Sequence, residues 1–473
     1  MNPAPASRSD SHSDRDSRLP RSLLFGFALP AIMLGFTHGP ETIVQGLYAK
    51  FGGLSLTALA GAVVLTRMFD AVTYPLIGFL SDLTFRKTGT RKLWLVAGTA
   101  VTVLGLWFLF RPPQNVTVAW YGIWMAVTYF GWKITEIPYA AWAVGLSRDY
   151  AQRARVQLWR AVAQLSGGLV FYTVPYLSKA LGLAETTEMT LKTLSFTAMI
   201  IAVCVPLLNL YTLKQVPDGE AAPTANGNHH HWRTFLRTLV SNRPLLHLLA
   251  AFIPVSLVLG MGVGVNFLYF DTFLHLSKQY ALLHLIALPC SLLGLPFWGW
   301  LCMRYERHKV WAVATVLGST GYLSLSFAPI GESGFPLVAA ANSLAVFCII
   351  AMGIALPSIL GDIADHDQLQ SGENRAGLFY AIYQFLNRSL TGITAGLGLA
   401  MVGWFGFDAT AATQTASGAF GMKLVMVWLQ SAGFLLGGLV IWHFPLTRAR
   451  MAEIRAELAA RGATAPAAAA GTG

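Results

Sequence analysis

Several ionisable side chains lie inside long apolar stretches of the sequence, where neither water nor an obvious partner surrounds them. They are Arg67, Asp70, Lys133, Glu136, Arg160 and Arg388. An unpaired charge inside a membrane is costly, so each of these side chains is a candidate for binding a polar solute or an ion. The alternative is an ion-pair network that only fixes the packing of helices.

Two of these charges have polar neighbours at helical spacing. Side chains three or four residues apart share a helix face. Asp70 therefore lies on the same side as Arg67 and Tyr74. Lys133 likewise lies on the same side as Glu136. Acids and bases grouped in this way could exchange a proton, hold a cation, or hydrogen-bond the hydroxyl groups of a solute.

The composition excludes several classes of protein. Hydrophobic residues make up 55% of the 473 residues and charged residues 12%, about half the charged share of a soluble domain. The net charge of +11 comes from positives scattered through loops rather than from a patch, so no nucleic-acid partner is expected. The four cysteines have no CxxC spacing, which argues against a disulfide framework or a metal site. No metalloprotease, hydrolase or nucleotide-binding motif stands in a suitable context, so no enzyme activity and no cofactor are expected.

Apolar stretches of membrane-spanning length recur along the whole chain. About twenty apolar residues cross a bilayer, and twelve stretches reach that length. The predicted spans are 22–48, 57–80, 93–110, 117–145, 157–180, 193–214, 244–274, 279–302, 309–329, 334–360, 376–406 and 418–444. The sequence thus predicts an all-α membrane protein with twelve transmembrane helices.

A polar loop at 215–243 divides these spans into two halves, 22–214 and 244–444. The tails, 1–21 and 445–473, are expected to be cytoplasmic. The N-terminal tail and the part of the C-terminal tail after Arg450 are expected to be disordered. With both ends inside, the inner loops and tails hold 23 basic residues and the outer loops five. That asymmetry sets the predicted orientation, because basic residues accumulate on the cytoplasmic side.

Two six-helix halves joined by a polar loop resemble the major facilitator superfamily, in which the halves rock around a central site. The segment after span two supports the resemblance with Asp82, Arg86 and Arg91 around a turn glycine. An acid followed by a basic cluster can form a gating latch that breaks and re-forms. The alternative is an ordinary positive-inside loop. A similar basic cluster after span eight, including Arg307, recurs at the equivalent place in the second half.

A closer resemblance is to the glycoside–pentoside–hexuronide:cation symporters, the family of the melibiose carrier. The matching stretches occur in the family's order and cover nearly the whole membrane domain. They are 67–78 in span two, 135–139 in span four, 149–160 before and in span five, 361–375 after span ten, and Tyr380 with Arg388 in span eleven. At Arg388 the family usually has a lysine.

The resemblance implies a cation site on spans two and four, and this sequence departs from it. Asp70 matches the first carboxylate, but Tyr74 replaces the second, and Lys133 stands where the family has a hydroxyl. Arg67 and Thr73 complete the expected coupling or ion-pair group. A lysine in the site argues against sodium. Asp70 and Lys133 then either replace the bound ion permanently or form a proton-titrating pair.

The resemblance also implies a sugar site built from span-four and span-five charges and from aromatic rings. Glu136 and Arg160 match the two charges, and carboxylate and guanidinium groups are suited to pairs of hydroxyls. The other expected contacts are Trp132, Tyr139, Tyr380, Tyr383 and Arg388. For each aromatic ring, core packing or lipid contact is the alternative. Leu34 occupies the position of the family's span-one acid, and His38 and Glu41 further along either substitute for it or face water.

Three acids after span ten, Asp362, Asp365 and Asp367, are expected to gate by pairing with arginines of the loops, or else to form a solvated cap.

Together the patterns predict a secondary active transporter of the bacterial inner membrane for a small hydroxylated solute, most simply a sugar or glycoside. Transport is expected to be proton-coupled or uncoupled, not sodium-coupled. The alternatives are a transporter of amphiphilic, lipid-like solutes and a membrane sensor that has lost transport. The expected partners are the solute, membrane lipid and, where coupling exists, a proton, with the chain as a monomer.

Overall fold

The computed structural model describes residues 19–147, 149–218, 242–373 and 375–464, and these residues form helices and connecting turns with no strand. Most of the predicted tail 1–21, most of the central loop 215–243 and the last nine residues lie outside the described part. The helices of the first half are α1 (Arg21–His38), α2 (Val44–Gly52), α3 (Leu56–Thr88), α4 (Lys92–Leu109), α5 (Val118–Gly145), α6 (Tyr150–Ala180) and α7 (Leu191–Gln215).

The second half continues the same pattern. Its helices are α8 (Arg243–Phe267), α9 (Tyr280–Arg304), α10 (Arg307–Ser324), α11 (Phe335–Ser371), α12 (Ala376–Trp404), α13 (Ala416–Lys423), α14 (Leu429–Trp442) and α15 (Arg448–Thr464). Nine spans in the described residues are long and apolar enough to cross a membrane. The helices α5, α6 and α12 are not among them, and they carry Lys133, Glu136, Arg160 and Arg388. The number twelve therefore stays a prediction, while the all-α membrane architecture is confirmed.

Two helices extend well beyond the spans predicted for them. The helix α3 runs to Thr88 rather than to residue 80, and α11 runs to Ser371 rather than to residue 360. Each ends where a glycine, Gly89 or Gly372, adopts a left-handed φ of 71° or 74° and its N–H bonds the preceding turn. The acidic segments expected in loops therefore lie on rigid helical extensions.

The first and seventh spans are each interrupted on the way through the bundle. A 3₁₀ turn at Gly39–Thr42 separates α1 from α2, where Gly39 and Pro40 follow each other. After α8, a π-helical segment, Leu268–Phe273, continues the chain. Both interruptions bring polar side chains into the interior, as π-helical turns often do at functional positions.

The expectation of a disordered C-terminal tail is wrong for its described part, because α15 is a helix. Met451 and Ile454 lie three residues apart and are buried against the second half. The guanidinium of Arg448 donates to the carbonyl oxygens of Cys302, Met303 and Arg304, which end α9. A basic side chain at a helix C-terminus satisfies carbonyls that have no partner in the helix. The apolar stripe and this cap together order the segment.

The halves meet where α3 packs on α12 and where α6 packs on α9. We call the side of the molecule that carries the start of α1 and the helix α15 the terminal face, and the opposite side the far face. At Gly396 in α12, an added Cβ would lie 2.6 Å from Val64 and 2.9 Å from the carbonyl oxygen of Ala60. This close approach lies between the centre and the far face. The halves are thus in contact there.

Within the first half, α1 and α6 touch backbone to backbone. A Cβ added at Gly35 would overlap the carbonyl oxygen of Gln164, and one added at Gly167 would overlap the carbonyl oxygen of Ile32. Small residues at such crossings are typical of membrane helices that approach closely.

We expect Gly167→Val to lower the thermal stability of the detergent-solubilised protein, because the new side chain must separate α1 from α6. Overpacking of a tight contact costs about 1–3 kcal/mol or more. The neighbouring Gly168→Val is the matched control, since nothing lies within 4 Å of a Cβ at Gly168. Equal melting temperatures for the two variants would contradict the proposed contact.

Candidate functional site

The buried charges predicted from the sequence come together at the centre of the bundle. The ammonium Nζ of Lys133 lies 3.6 Å from Asp70 Oδ1 and 3.5 Å from Glu136 Oε2. On the other side of Glu136, a guanidinium nitrogen of Arg388 lies 3.6 Å from Oε1. Asp70 is on α3, Lys133 and Glu136 are on α5, and Arg388 is on α12. The network therefore links the two halves through Glu136.

Tyr74 lies between two cations of this network. Its ring centre is 4.7 Å from the guanidinium carbon of Arg388 and 5.6 Å from Lys133 Nζ, so its π face contacts charge from both. Thr73, in contrast, donates its hydroxyl to the carbonyl oxygens of Phe69 and Asp70 within its own helix. The geometry thus offers a ring rather than a second carboxylate next to Asp70.

A second ion pair, between Arg67 and Glu41, lies beside the first network. A guanidinium nitrogen of Arg67 donates to Glu41 Oε1, and the guanidinium carbon lies 4.4 Å above the ring of Tyr129. The sequence spacing pointed to Asp70 as a neighbour of Arg67, but the ion pair is with Glu41. The 3₁₀ turn after α1 places Glu41 inside the bundle, which the sequence analysis left open.

His38 belongs to this second pair. Its Nδ1 lies 3.4 Å from Glu41 Oε2, and its ring stacks on Trp132 at 3.9 Å between centres. His38 and Glu41 therefore face the interior rather than the water outside. The signal in the sequence was the Gly39–Pro40 break, which turns the chain between two polar residues three apart.

Of the four cations predicted inside the spans, Arg160 on α6 is the one without an ion pair among the described residues. Its guanidinium carbon lies 5.6 Å from the ring of Tyr139. The group of central charges contains three acids and four bases besides His38. They are Glu41, Asp70, Glu136, Arg67, Lys133, Arg160 and Arg388. With all of them ionised, the centre carries one surplus positive charge, at Arg160.

The aromatic residues predicted for solute contact divide into two groups. Trp132 and Tyr139 are buried, and Tyr139 stacks on Phe27 at 4.6 Å and donates its hydroxyl to the Phe27 carbonyl. Tyr380 is 48% exposed, while Tyr383, 6.2 Å away between ring centres, is buried. In this conformation Tyr380 and Tyr74 are the accessible rings. Trp132 and Tyr139 would need to lose their packing partners before they could stack on a solute.

The predicted gating residues lie at the terminal face and pair within their own half. Arg91 lies 2.8 Å from Asp82 Oδ1 in the first half, whereas Arg86 is exposed and has no ion pair among the described residues. In the second half, Arg307 lies 2.7 Å from Asp362 Oδ2. The cluster after span eight thus meets the acids after span ten.

The acids of α11 have two further partners. Arg455 of α15 lies 3.0 Å from Asp362 Oδ1 and 3.1 Å from Asp365 Oδ2. Asp367 is 3.9 Å from Arg375. The sequence does not single out Arg455, because the segment after Arg450 reads as a disordered tail.

Comparison with known proteins decides the family. The model of the family described as MFS/sugar transport protein matches residues 24–448. The chain belongs to this family. It is a membrane transporter of the major facilitator superfamily and not an enzyme, which confirms the resemblance on which the sequence analysis relied.

The curated relatives are similar along most of their length. The glucuronide carrier protein homolog of Escherichia coli K12 is 22% identical over 453 residues, which covers 92% of each chain. The sodium-dependent lysophosphatidylcholine symporter 1-A of Danio rerio is 21% identical over 84% of this chain and 80% of its own. Among solved structures, the inward open E. coli xylose transporter covers 92% of this chain and 99% of its own, at 15% identity and a TM-score of 0.59. This structural likeness shows the major facilitator fold.

We expect Glu41→Gln to destabilise the transporter, because it removes the carboxylate that forms the ion pair with the partly buried guanidinium of Arg67. Breaking one side of a buried ion pair costs about 3–5 kcal/mol. Thermal unfolding in detergent measures the loss. Glu185→Gln, at an exposed acid, is the control. The double variant Glu41→Gln with Arg67→Leu should recover part of the stability, and no recovery would show that the pair does not carry the effect.

Proposed function

We propose that this transporter moves a small hydroxylated solute, a sugar or glycoside, by alternating access across the bacterial inner membrane. The observation that carries the proposal is the contact of Glu136 on α5 with Arg388 on α12, because it links the halves at the centre. In major facilitator proteins the solute binds between the halves near the midplane. Carboxylate and guanidinium groups placed there can hydrogen-bond adjacent hydroxyls. When a solute binds, Glu136 and Arg388 can each release the other and hydrogen-bond the solute instead.

The charge balance narrows the class of solute. Arg160 has no ion pair among the described residues, and Arg388 is 39% exposed although it lies near Glu136. Two guanidinium groups that are accessible or unpaired favour a solute with an acidic group in addition to its hydroxyls. A glycoside of a sugar acid fits this description, and the similarity to a glucuronide carrier homolog supports it.

The coupling ion follows from the side chain next to Asp70. Sodium needs several hard oxygen ligands, and Lys133 places a positive charge 3.6 Å from one of the carboxylate oxygens. At that distance in a poorly screened interior, a lysine repels a second cation strongly. We infer that transport is uncoupled or uses a proton, although related lysophosphatidylcholine symporters are sodium-dependent by name.

An amphiphilic, lipid-like solute is the second candidate. Leu34 stands at the position where the sugar-transporting family has its span-one acid, and its side chain is buried among apolar residues. The lost acid removes one hydroxyl-binding group, and the lysophosphatidylcholine symporters are relatives of similar identity. A solute with a charged headgroup would still use Arg160.

The proposed orientation places the terminal face in the cytoplasm, as the excess of basic residues indicates. The first half and the second half contact each other at the centre and at the far face. The central charges then open toward the cytoplasm in this conformation. The proposal treats one chain as the transporting unit, since the central network is complete within it.

We expect Glu136→Gln and Arg160→Ala each to abolish solute binding while the protein still folds. The measurement is counterflow of radiolabelled solutes in proteoliposomes, comparing a neutral glycoside, the matching glucuronide and a lysophospholipid. Lys192→Ala is the control, because Lys192 is exposed near the far face and remote from the centre. Near-normal counterflow in both centre variants would contradict the site, and preference for the lysophospholipid would favour the second candidate.

We expect initial uptake to be unchanged when sodium is replaced by potassium at fixed pH. Lys133→Thr should impair transport, because Asp70 is then left without its closest cation. The informative variant is Tyr74→Asp with Lys133→Thr, which restores the family's carboxylate and hydroxyl and should introduce sodium dependence. A several-fold loss of uptake by the unaltered protein in sodium-free buffer would show that an ion site lies elsewhere.

A further inference from the structure

A second ion pair between described residues joins the two halves, and it lies away from the central site. Lys50 at the end of α2 places its Nζ 2.5 Å from Oδ2 of Asp271, in the π-helical segment after α8. The side chain of Asp271 is fully buried, and that of Lys50 is 22% exposed. This contact, the far-face ion pair, crosses from the first half to the second.

The buried carboxylate of Asp271 depends on Lys50 for its counter-charge. Oδ2 also accepts a hydrogen bond from the Thr272 hydroxyl at 3.1 Å, but the buried Oδ1 has no hydrogen-bond partner among the described residues. A buried carboxylate that loses its counter-charge is strongly destabilised. Separation of Lys50 from Asp271 therefore requires water or another donor to reach the carboxylate at the same time.

Further contacts between the halves lie in the same layer. An added Cβ at Gly46 of α2 would lie 2.5 Å from the ring of Phe267, so these helices touch directly. The Thr187 hydroxyl, in the connection before α7, donates to the carbonyl oxygen of Lys278 at 2.9 Å. The far face is thus closed by an ion pair within a ring of close contacts.

The terminal face shows the opposite arrangement. Its ion pairs stay within one half, as in Asp82 with Arg91 and Asp362 with Arg307. Between described residues of the two halves, no hydrogen bond or ion pair lies on that face. On the side of the centre that faces the terminal face, the side chain of Tyr74 is 38% exposed and that of Tyr380 is 48% exposed. In the described residues, contacts thus close the far face, while the centre is accessible from the terminal face.

A polar cavity of about 320 Å³ lies directly outside the far-face ion pair. Its lining includes Lys50 and Asp271 themselves, together with Thr272, His275 and Ser277. Water in this cavity can reach the side chain of Lys50, which is 22% exposed, but not the fully buried side chain of Asp271. The pair therefore stands at the boundary between the aqueous phase and the closed interior.

We propose that Lys50 and Asp271 form a barrier at the far face. The two side chains must separate before the transporter can reach its outward-open state. The proposal rests on the alternating access proposed above. Even without a solute, the pair stabilises the conformation that is open at the terminal face. Loss of the pair shifts the population toward the conformation that is open at the far face. Transport needs both states, so the pair also sets how readily the solute is admitted from the far face.

The test measures access to the interior from the far face. Ala60 is buried where α3 meets Gly396 of α12, and Ala60→Cys reports when these helices separate. The background is the chain with its four natural cysteines replaced by alanine. Vesicles of each orientation are treated with a membrane-impermeant maleimide, without any solute. With Lys50→Met we expect the maleimide to label Ala60→Cys from the far face about tenfold faster or more. The reason is that loss of the pair shifts the two-state equilibrium toward the conformation open at the far face.

The charge reversal separates an ion-pair effect from a loss of packing. Lys50→Asp alone should label fast, and Lys50→Asp combined with Asp271→Lys should return toward the original rate. Lys192→Met, at an exposed far-face lysine without an ion pair among the described residues, should leave the rate unchanged. Unchanged labelling in Lys50→Met, or a reversed pair that labels as fast as the single variant, would overturn the proposal. Because no solute is used, failure of the proposed function would instead appear in counterflow with labelling as expected.

Discussion

The ion pairs of Glu136 with Lys133 and Arg388 are the constraint that couples the two halves at the centre of the bundle. Charges inside a membrane persist when they are paired or hydrated, and here the partners come from two helices of opposite halves. Glu136 therefore holds the halves together at the centre while it remains a group that a hydroxylated solute can bind. The network spans α3, α5 and α12. A solute that binds Glu136, as proposed, would therefore act directly on the contact between the halves.

The central network and the far-face ion pair differ in what replaces their contacts when the two halves move. At the centre, Arg388 is partly exposed, so a solute can replace Glu136 as its partner without leaving a charge unpaired. At the far face, Asp271 is fully buried and has one cation, so opening must hydrate the carboxylate. Exchange of ion-pair partners therefore costs little free energy in the central network and more at the far-face ion pair. This difference favours the conformation open to the terminal face when no solute is bound.

The sequence predicted the central site well because its members are close in sequence or in recognisable motifs. Asp70 with Tyr74, and Lys133 with Glu136, are one helical turn apart, and their grouping follows from helix geometry. Glu41 was harder to place, since its position depends on the turn after α1. The far-face pair joins residues 221 apart in the chain. Asp271 is the one acid in the predicted span 244–274, so the sequence carries the same kind of signal there as at Asp70 in span two. The predicted spans end too early where polar residues continue a helix into water, as they do up to Thr88 and Ser371.

The two faces of the transporter differ in how their ion pairs are arranged. At the terminal face, Asp362 already has Arg307 and Arg455, both from its own half. Closing this face would bring the first half alongside, where Arg86 is exposed and unpaired among the described residues. Arg307 and Arg455 are 34% and 54% exposed, whereas the carboxylate of Asp362 is buried between them. Because both of its partners belong to its own half, closing of the terminal face does not have to break these ion pairs, and the far-face ion pair is the contact between the halves that opening must break.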